Sequence, residues 1–266
     1  MSTMRSDGRG LSEYREVSVS SNIFAHTCGS ARAVLGGGLG GGTEVIAGVS
    51  AEIDVPRADA PDCGWFEVCV EYSPTIAGGD DKAQQAKMLE HQRTLQKLLD
   101  GAMDMKALGV VSGAFCWKVT IDILVVAEEG GLLDTISLAI YVALARAKVP
   151  RANALVADGG EPDFELATDE ETFKLCVDRV PIIITVAKGR DAQLLIDANE
   201  VEASTAESSI CVAVNRQQQI CSVDQAGGSF AWAQLSSAIA LAETISTGVF
   251  HGLDESINHD QAAETE

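Results

Sequence analysis

Ile121-Asp122-Ile123-Leu124-Val125-Val126-Ala127, then Glu128-Glu129-Gly130-Gly131, then Leu132 through Ala147 form the stretch whose reading decides the fold. The β-branched run predicts a strand, the two glycines break it, and the apolar segment that follows predicts a helix buried on nearly every side. Val149-Pro150 stops that helix. A strand turning through glycines into a helix start is able to cradle a phosphate on free N–H groups. Here two glutamates precede the glycines, two leucines follow them, and no Lys, Arg, Ser or Thr lies between Ile123 and Asp134. Gly130, Gly131, Leu132 and Leu133 therefore read as a degenerate phosphate site.

Upstream, strands are expected at Tyr14–Ser20, Gly29–Leu35, Thr43–Ile53 and Trp65–Tyr72, an antiparallel meander. Its Gly36–Gly42 connection holds six glycines and lacks the Gly-Lys-Ser/Thr ending of a nucleotide loop, so it reads as a floppy hairpin linker. Ala83–Met103 has the spacing of an amphipathic helix, and a strand over Ala114–Val126 leads into the opening stretch. Downstream, strands at Ile182–Ala187, Gln193–Ile196, Ser208–Val214 and Gln219–Val223 precede an amphipathic helix over Phe230–Ser246. Runs of strands with helices to one side make this an α+β fold of two similar halves. Trp65, Trp117 and Trp232 read as core side chains.

The chain has 266 residues, 46% of them hydrophobic, enough to bury a sizeable core. No uninterrupted apolar run or charged-then-apolar opening suggests a membrane span or signal peptide. Seven cysteines without a Cys-x-x-Cys pair read as reduced thiols, and the four histidines do not join them at zinc-ligand spacing. No metal or cofactor is expected. Nineteen basic against 39 acidic residues leave a net charge of −20, which repels a polyanion at long range, so any contact with nucleic acid must be local. The acids gather in Glu161–Glu171, read as a solvated loop, and in a tail over 251–266 read as disordered.

Several strings in order resemble the RNase PH superfamily, the fold of phosphorolytic exoribonucleases and of the exosome ring. They are Arg5-x-Asp-Gly-Arg9 with Arg15, Gly29-Ser-Ala-Arg32, Gly42 through Glu52, Asp104-Met-Lys-Ala-Leu108, Asp122-Ile-Leu124 and Leu194-Leu-Ile-Asp197. The resemblance implies a ribosomal protein S5 domain 2-like fold of duplicated β-meander and helix halves, with mixed sheets and helices packed between them. It divides the chain into a first part over 1–200, a C-terminal subdomain over 201–250 and the acidic tail.

Active members carry Asp-Gly-Gly-Thr-Arg where this chain has Glu129-Gly130-Gly131-Leu132-Leu133, and two aspartates where it has Glu207 and Ser209, a degenerate acid site. Each charge-assisted bond to the phosphate is worth about 1.5–3 kcal/mol. Losing two or three costs on the order of a thousandfold in rate. The resemblance thus implies no catalytic residues and a non-catalytic subunit of the eukaryotic exosome ring. The implied partners are other RNase PH-like subunits in a hetero-hexamer, S1/KH-domain caps and single-stranded RNA, in the nucleus, nucleolus and cytoplasm. Arg93, Lys97 and Lys106 are the candidate RNA contacts by analogy with the ring's pore residues, although such a helix also shows cations to water. Arg5 and Arg9 either bind a partner or RNA, or cap the arm. The alternative is an active phosphorolytic exoribonuclease whose acid cluster is Asp197 with Glu200 or Glu202.

Overall fold

The computed structural model describes residues 5, 7–38, 41–76, 81–155, 162–167, 171–189 and 191–264. Strands β1 (Val17–Ser21), β2 (Gly29–Gly38), β3 (Gly41–Asp54) and β4 (Trp65–Tyr72) lead to helix α1 (Asp81–Ala102) and a 3-10 turn at Met105–Leu108. Then come β5 (Gly109–Val111), β6 (Phe115–Ala127), α2 (Leu132–Arg146), β7 (Lys148–Pro150), β8 (Ala152–Leu155), β9 (Asp163–Leu166) and β10 (Thr172–Lys174). The chain continues with β11 (Ile182–Lys188), β12 (Leu194–Ile196), α3 (Glu200–Thr205), β13 (Ser208–Val214), β14 (Ile220–Gly227) and α4 (Trp232–Glu264).

The first sheet has the order β1-β2-β3-β6-β4 with β5 beside β6, and the second has the order β12-β11-β13-β14. β3 alternates Val45, Ala47 and Val49 inward with Ile46, Gly48 and Ser50 outward, the period of a strand with one covered face. α2 packs on β2 and β3 and also on β11, which places it between the sheets. That position explains its sequence, because Leu132, Ile136, Leu138, Ile140, Tyr141 and Leu144 on different sides of the helix are all buried. Each contributes about 1.5–3 kcal/mol of burial. α4 lies on β1, β11 and β13, and its Phe250 meets Tyr141 of α2 edge-on at 5.3 Å. Among the described residues no helix is long and apolar enough to cross a membrane.

The architecture is the expected α+β arrangement, with five differences of detail. β4 is not the fourth strand of a meander: the chain crosses over through α1, so β4 runs parallel to β6 from Trp65↔Lys118 to Tyr72↔Val125. Its outer edge is closed by Gln96 of α1, which donates to Phe66 O at 2.8 Å and accepts from Val68 N at 3.0 Å, standing in for a strand. The glycine linker is partly ladder: Gly36↔Gly42 and Gly38↔Gly41 still pair across a bulge, while Leu39 and Gly40 lie outside the described residues.

Part of the acidic loop is a strand: β9 pairs with β8, and its Phe164 docks on Phe115 at 4.8 Å, while β10 just beyond the loop pairs with β7. Glu161 and residues 168–170 are outside the described set. The tail is helical to Glu264: Phe250, Leu253 and Ile257 prolong the apolar stripe beyond Ser246, and Asp254 pairs with Arg216. The second sheet also draws β11 and β12, which precede residue 201, together with β13 and β14.

Candidate functional site

The glycine turn is held from behind by its own backbone. Gly130 has φ 83° and Gly131 φ 65°, a region that L side chains rarely adopt. A Cβ on Gly130 would fall 2.4 Å from Ala198 O, and one on Gly131 3.0 Å from Asp197 Oδ1. Thr43 of β3 donates to Gly130 O and accepts from Glu129 N at 2.9 Å. The Glu129 carboxylate rests against Gly41, where a Cβ would lie 2.2 Å from Oε1. The end of the glycine run thus makes room for the acidic turn. Gly131 caps α2 without any side-chain acceptor; Leu132 is 6% exposed and part of the core, and Leu133 is half-buried against it.

Arginine does reach this turn, from the amino-terminal arm, but it binds carbonyls. Arg15 donates through Nη1 to Glu129 O and through Nη2 to Gly130 O, both at 3.0 Å. The same guanidinium grips Asp197, through Nη2 to Oδ1 at 2.6 Å and Nε to Oδ2 at 2.8 Å, and the Arg15 backbone N–H donates to Oδ2 at 2.9 Å. Arg9 Nη1 adds a bond to Oδ2 at 2.8 Å. Asp197 is 0% exposed, so this is a buried carboxylate whose lone pairs are filled by two arginines.

Arg5 is buried as well. It donates to Ile196 O at 2.8 Å, to Asp197 O at 2.7 Å and to the Glu202 carboxylate. Burial opposes ionisation of Glu202, but Arg5 and the Asn199 N–H outweigh it and hold the carboxyl below its usual range. Arg5 and Arg9 therefore close the arm onto β12 and α3. Of the alternative acid cluster, Asp197 and Glu202 pair with arginine, and Glu200 is exposed at the first turn of α3.

The degenerate acid site lies at the near end of the second sheet. Glu207 is about half exposed, with Lys188 Nζ at 3.4 Å, and Ser209 stands between Ala187 and Ala226 in the ladder. Lys188 also donates to Ser229 O at 2.6 Å and lies over the Phe230 ring at 5.4 Å. The surviving carboxylate thus faces a lysine that nothing in the local sequence pairs with it. Among the described residues no group of three His, Cys, Asp or Glu side chains gathers at metal-binding distance.

Asp134, which sequence reasoning also misses, links the two sheets. Fully buried at the start of α2, it accepts from Tyr14 Oη, from Thr185 N at 3.0 Å and from Thr185 Oγ1. Burial pushes its pKa up to about 6 against the pull of these donors. Only its place in the helix hints at it: an acid inside an apolar run.

Arg93 and Lys97, i and i+4 on α1, face the β13–β14 turn across an open cleft of about 590 Å³. Arg179, just before β11, joins them, and Asn215, Gln219 and Asp224 supply the polar remainder. Arg179 has no sequence neighbours that mark it out. Lys106 is exposed in the 3-10 turn and does not line this cleft. Trp117 is buried, and Trp65 is half-buried with Arg57 and Lys118 each 4.9 Å from its ring. Trp232 is 82% exposed rather than in the core, because it opens α4 ahead of the face that begins packing at Leu235 and Ala238.

The family models for the 3′ exoribonuclease family match residues 13–150 (domain 1) and 179–245 (domain 2). The exosome complex component Rrp42 of Thermococcus onnurineus is 30% identical over 90% of this chain and 86% of its own. The exosome complex component rrp45 of Schizosaccharomyces pombe is 24% identical over 85% and 75%. A chain of the Archaeoglobus fulgidus exosome with RNA bound to the active site superposes with a TM-score of 0.76 at 24% identity, covering 94% of this chain and 92% of that one. The strand-turn-helix and the two sheets lie within the matched residues, and this chain belongs to the 3′ exoribonuclease, or RNase PH, family.

Proposed function

We propose that the chain is a non-catalytic RNase PH-like subunit of an exosome core ring. It supports 3′-to-5′ RNA processing and degradation, ribosomal RNA included, by forming part of the wall of the channel that threads RNA. One observation carries the reading. At the turn where active relatives hold phosphate, this chain offers carbonyls to Arg15 and two leucines to the core. The carboxylate of the degenerate acid site, Glu207, has a lysine for company and no second acid in Ser209.

Relatives named as exosome components support the ring, and the exosome chain solved with RNA bound supports the nucleic-acid partner. The partners are other RNase PH-like subunits in a hetero-hexamer, with S1/KH-domain caps and single-stranded RNA, in the nucleus, nucleolus and cytoplasm. With a net charge of −20 the chain leaves most RNA contact to basic neighbours, and Arg93, Lys97 and Arg179 supply a local contact. Lys106 contributes at most from a separate surface. A tagged chain is expected to co-purify with other RNase PH-like subunits and S1-domain proteins at fixed stoichiometry; recovery of the chain by itself would overturn the ring.

A further inference from the structure

The first sheet has an outer face that no helix covers among the described residues. Its strands align Ile46, Leu124 and Glu71 in one row and Gly48, Asp122 and Cys69 in the next. Gly48, which has no side chain, and the small Ser50 leave a trough of about 390 Å³, lined also by Phe24 and Thr27 from the β1–β2 connection. Phe24 is 48% and Leu124 38% exposed, and with half-buried Ile46 they give the trough an apolar lining.

The charges on this face are unevenly matched. Arg32 is taken by Glu44 at 2.6 Å, and Lys118 is shared between Glu52 at 2.9 Å and Glu67 at 3.0 Å. Among the described residues that leaves Asp122 and Glu71 without an ion-pair partner. Burial and the neighbouring charges of Glu71 and Glu67 raise the pKa of Asp122, so the trough favours an incoming cation. A second copy of the chain, at −20 and with the same carboxylates, is repelled, as is RNA.

We propose that this trough docks a neighbouring ring subunit through a segment that sets an arginine or lysine between apolar side chains. The cation lies between Asp122 and Glu71, and the apolar flanks cover Phe24, Ile46 and Leu124. The inference rests on the ring reading, but its test separates the two.

A photo-crosslinking residue replaces Thr27 in an otherwise unchanged tagged chain, and in parallel Asp122 and Glu71 are both changed to Lys. Both chains are expressed with RNase PH-like subunits. The expected result is a crosslink from position 27 to a subunit peptide containing Arg or Lys among apolar residues. Recovery of that one subunit falls at least tenfold with Asp122→Lys/Glu71→Lys, at an unchanged unfolding midpoint. Subunits that co-purify undiminished with the double variant, with no crosslink from position 27, leave the ring intact and overturn the docking. If the unchanged chain recovers no ring subunit, the ring reading falls. A crosslink from position 27 to a protein outside the ring overturns the docking. Crosslinks only to RNA, to a second copy, or to nothing overturn it.

Discussion

Two clusters of arginine in this molecule do opposite things. At the hub, Arg5, Arg9 and Arg15 are drawn inside by Asp197, Glu202 and a row of carbonyls, which take most of their donors. In the cleft beside α1, Arg93, Lys97 and Arg179 face an open volume with Asp224 as the acid among its lining residues. The same side-chain type is therefore a staple in one place and a contact surface in the other. The difference lies in whether a buried carboxylate reached it first. A buried cation paired and hydrogen-bonded on all sides is worth most to folding, whereas an exposed one is worth little to folding and is free to meet a phosphate.

The comparison breaks first at Asp197. Asp197→Ala leaves Arg9 and Arg15 without their shared counter-charge, an expected loss of about 3–5 kcal/mol in unfolding free energy by urea titration. A loss no larger than that of an Arg93→Ala variant would erase the distinction. Gly130→Ala drives a Cβ toward Ala198 O at a positive φ, with an expected cost of about 3 kcal/mol in the same titration.

Asp134 sharpens the comparison through pH. Its pKa rises from 3.8 unfolded to about 6 folded, so the folded state takes up a proton across that window and gains stability as pH falls from 6 to 4. Relative to Asp134→Asn, the unchanged chain should gain on the order of 2 kcal/mol over that interval and show no pH-dependent difference above about pH 7. Chemical unfolding at a series of pH values reads this directly.

The smallest effect on folding comes from the cleft. Arg93→Ala, Lys97→Ala and Arg179→Ala should each shift unfolding by less than about 0.5 kcal/mol. In the assembled ring they should still weaken RNA binding, and the salt dependence of log K should become shallower by about 0.7 for each phosphate no longer neutralised.

Most of the fold was legible because its signals are local. Period-two alternation located β3, apolar β-branched runs located β6 and β11, and the all-round apolar helix announced that α2 would be central. What was missed depends on partners distant in sequence. β4 looks like any strand until α1 returns the chain parallel to β6, and β9 becomes a strand only because Phe115 is there for Phe164.

The candidate site divides in the same way. That Glu129 through Leu133 carry no cationic or hydroxyl side chain can be read directly, since composition is a local fact. That Arg15 would spend its donors on Glu129 O and Gly130 O, or that Lys188 would meet Glu207, depends on contacts across 114 residues and between neighbouring strands. Arg179 joins Arg93 and Lys97 for the same reason: three elements far apart in the chain close one cleft.

The most direct test is an assay of the purified chain with single-stranded RNA and inorganic phosphate, scored by release of nucleoside diphosphates. A wall segment without phosphate ligands releases none above a no-protein control at any phosphate concentration. Robust phosphate-dependent release that disappears in Glu207→Gln, an exposed position whose change leaves the fold intact, would contradict it.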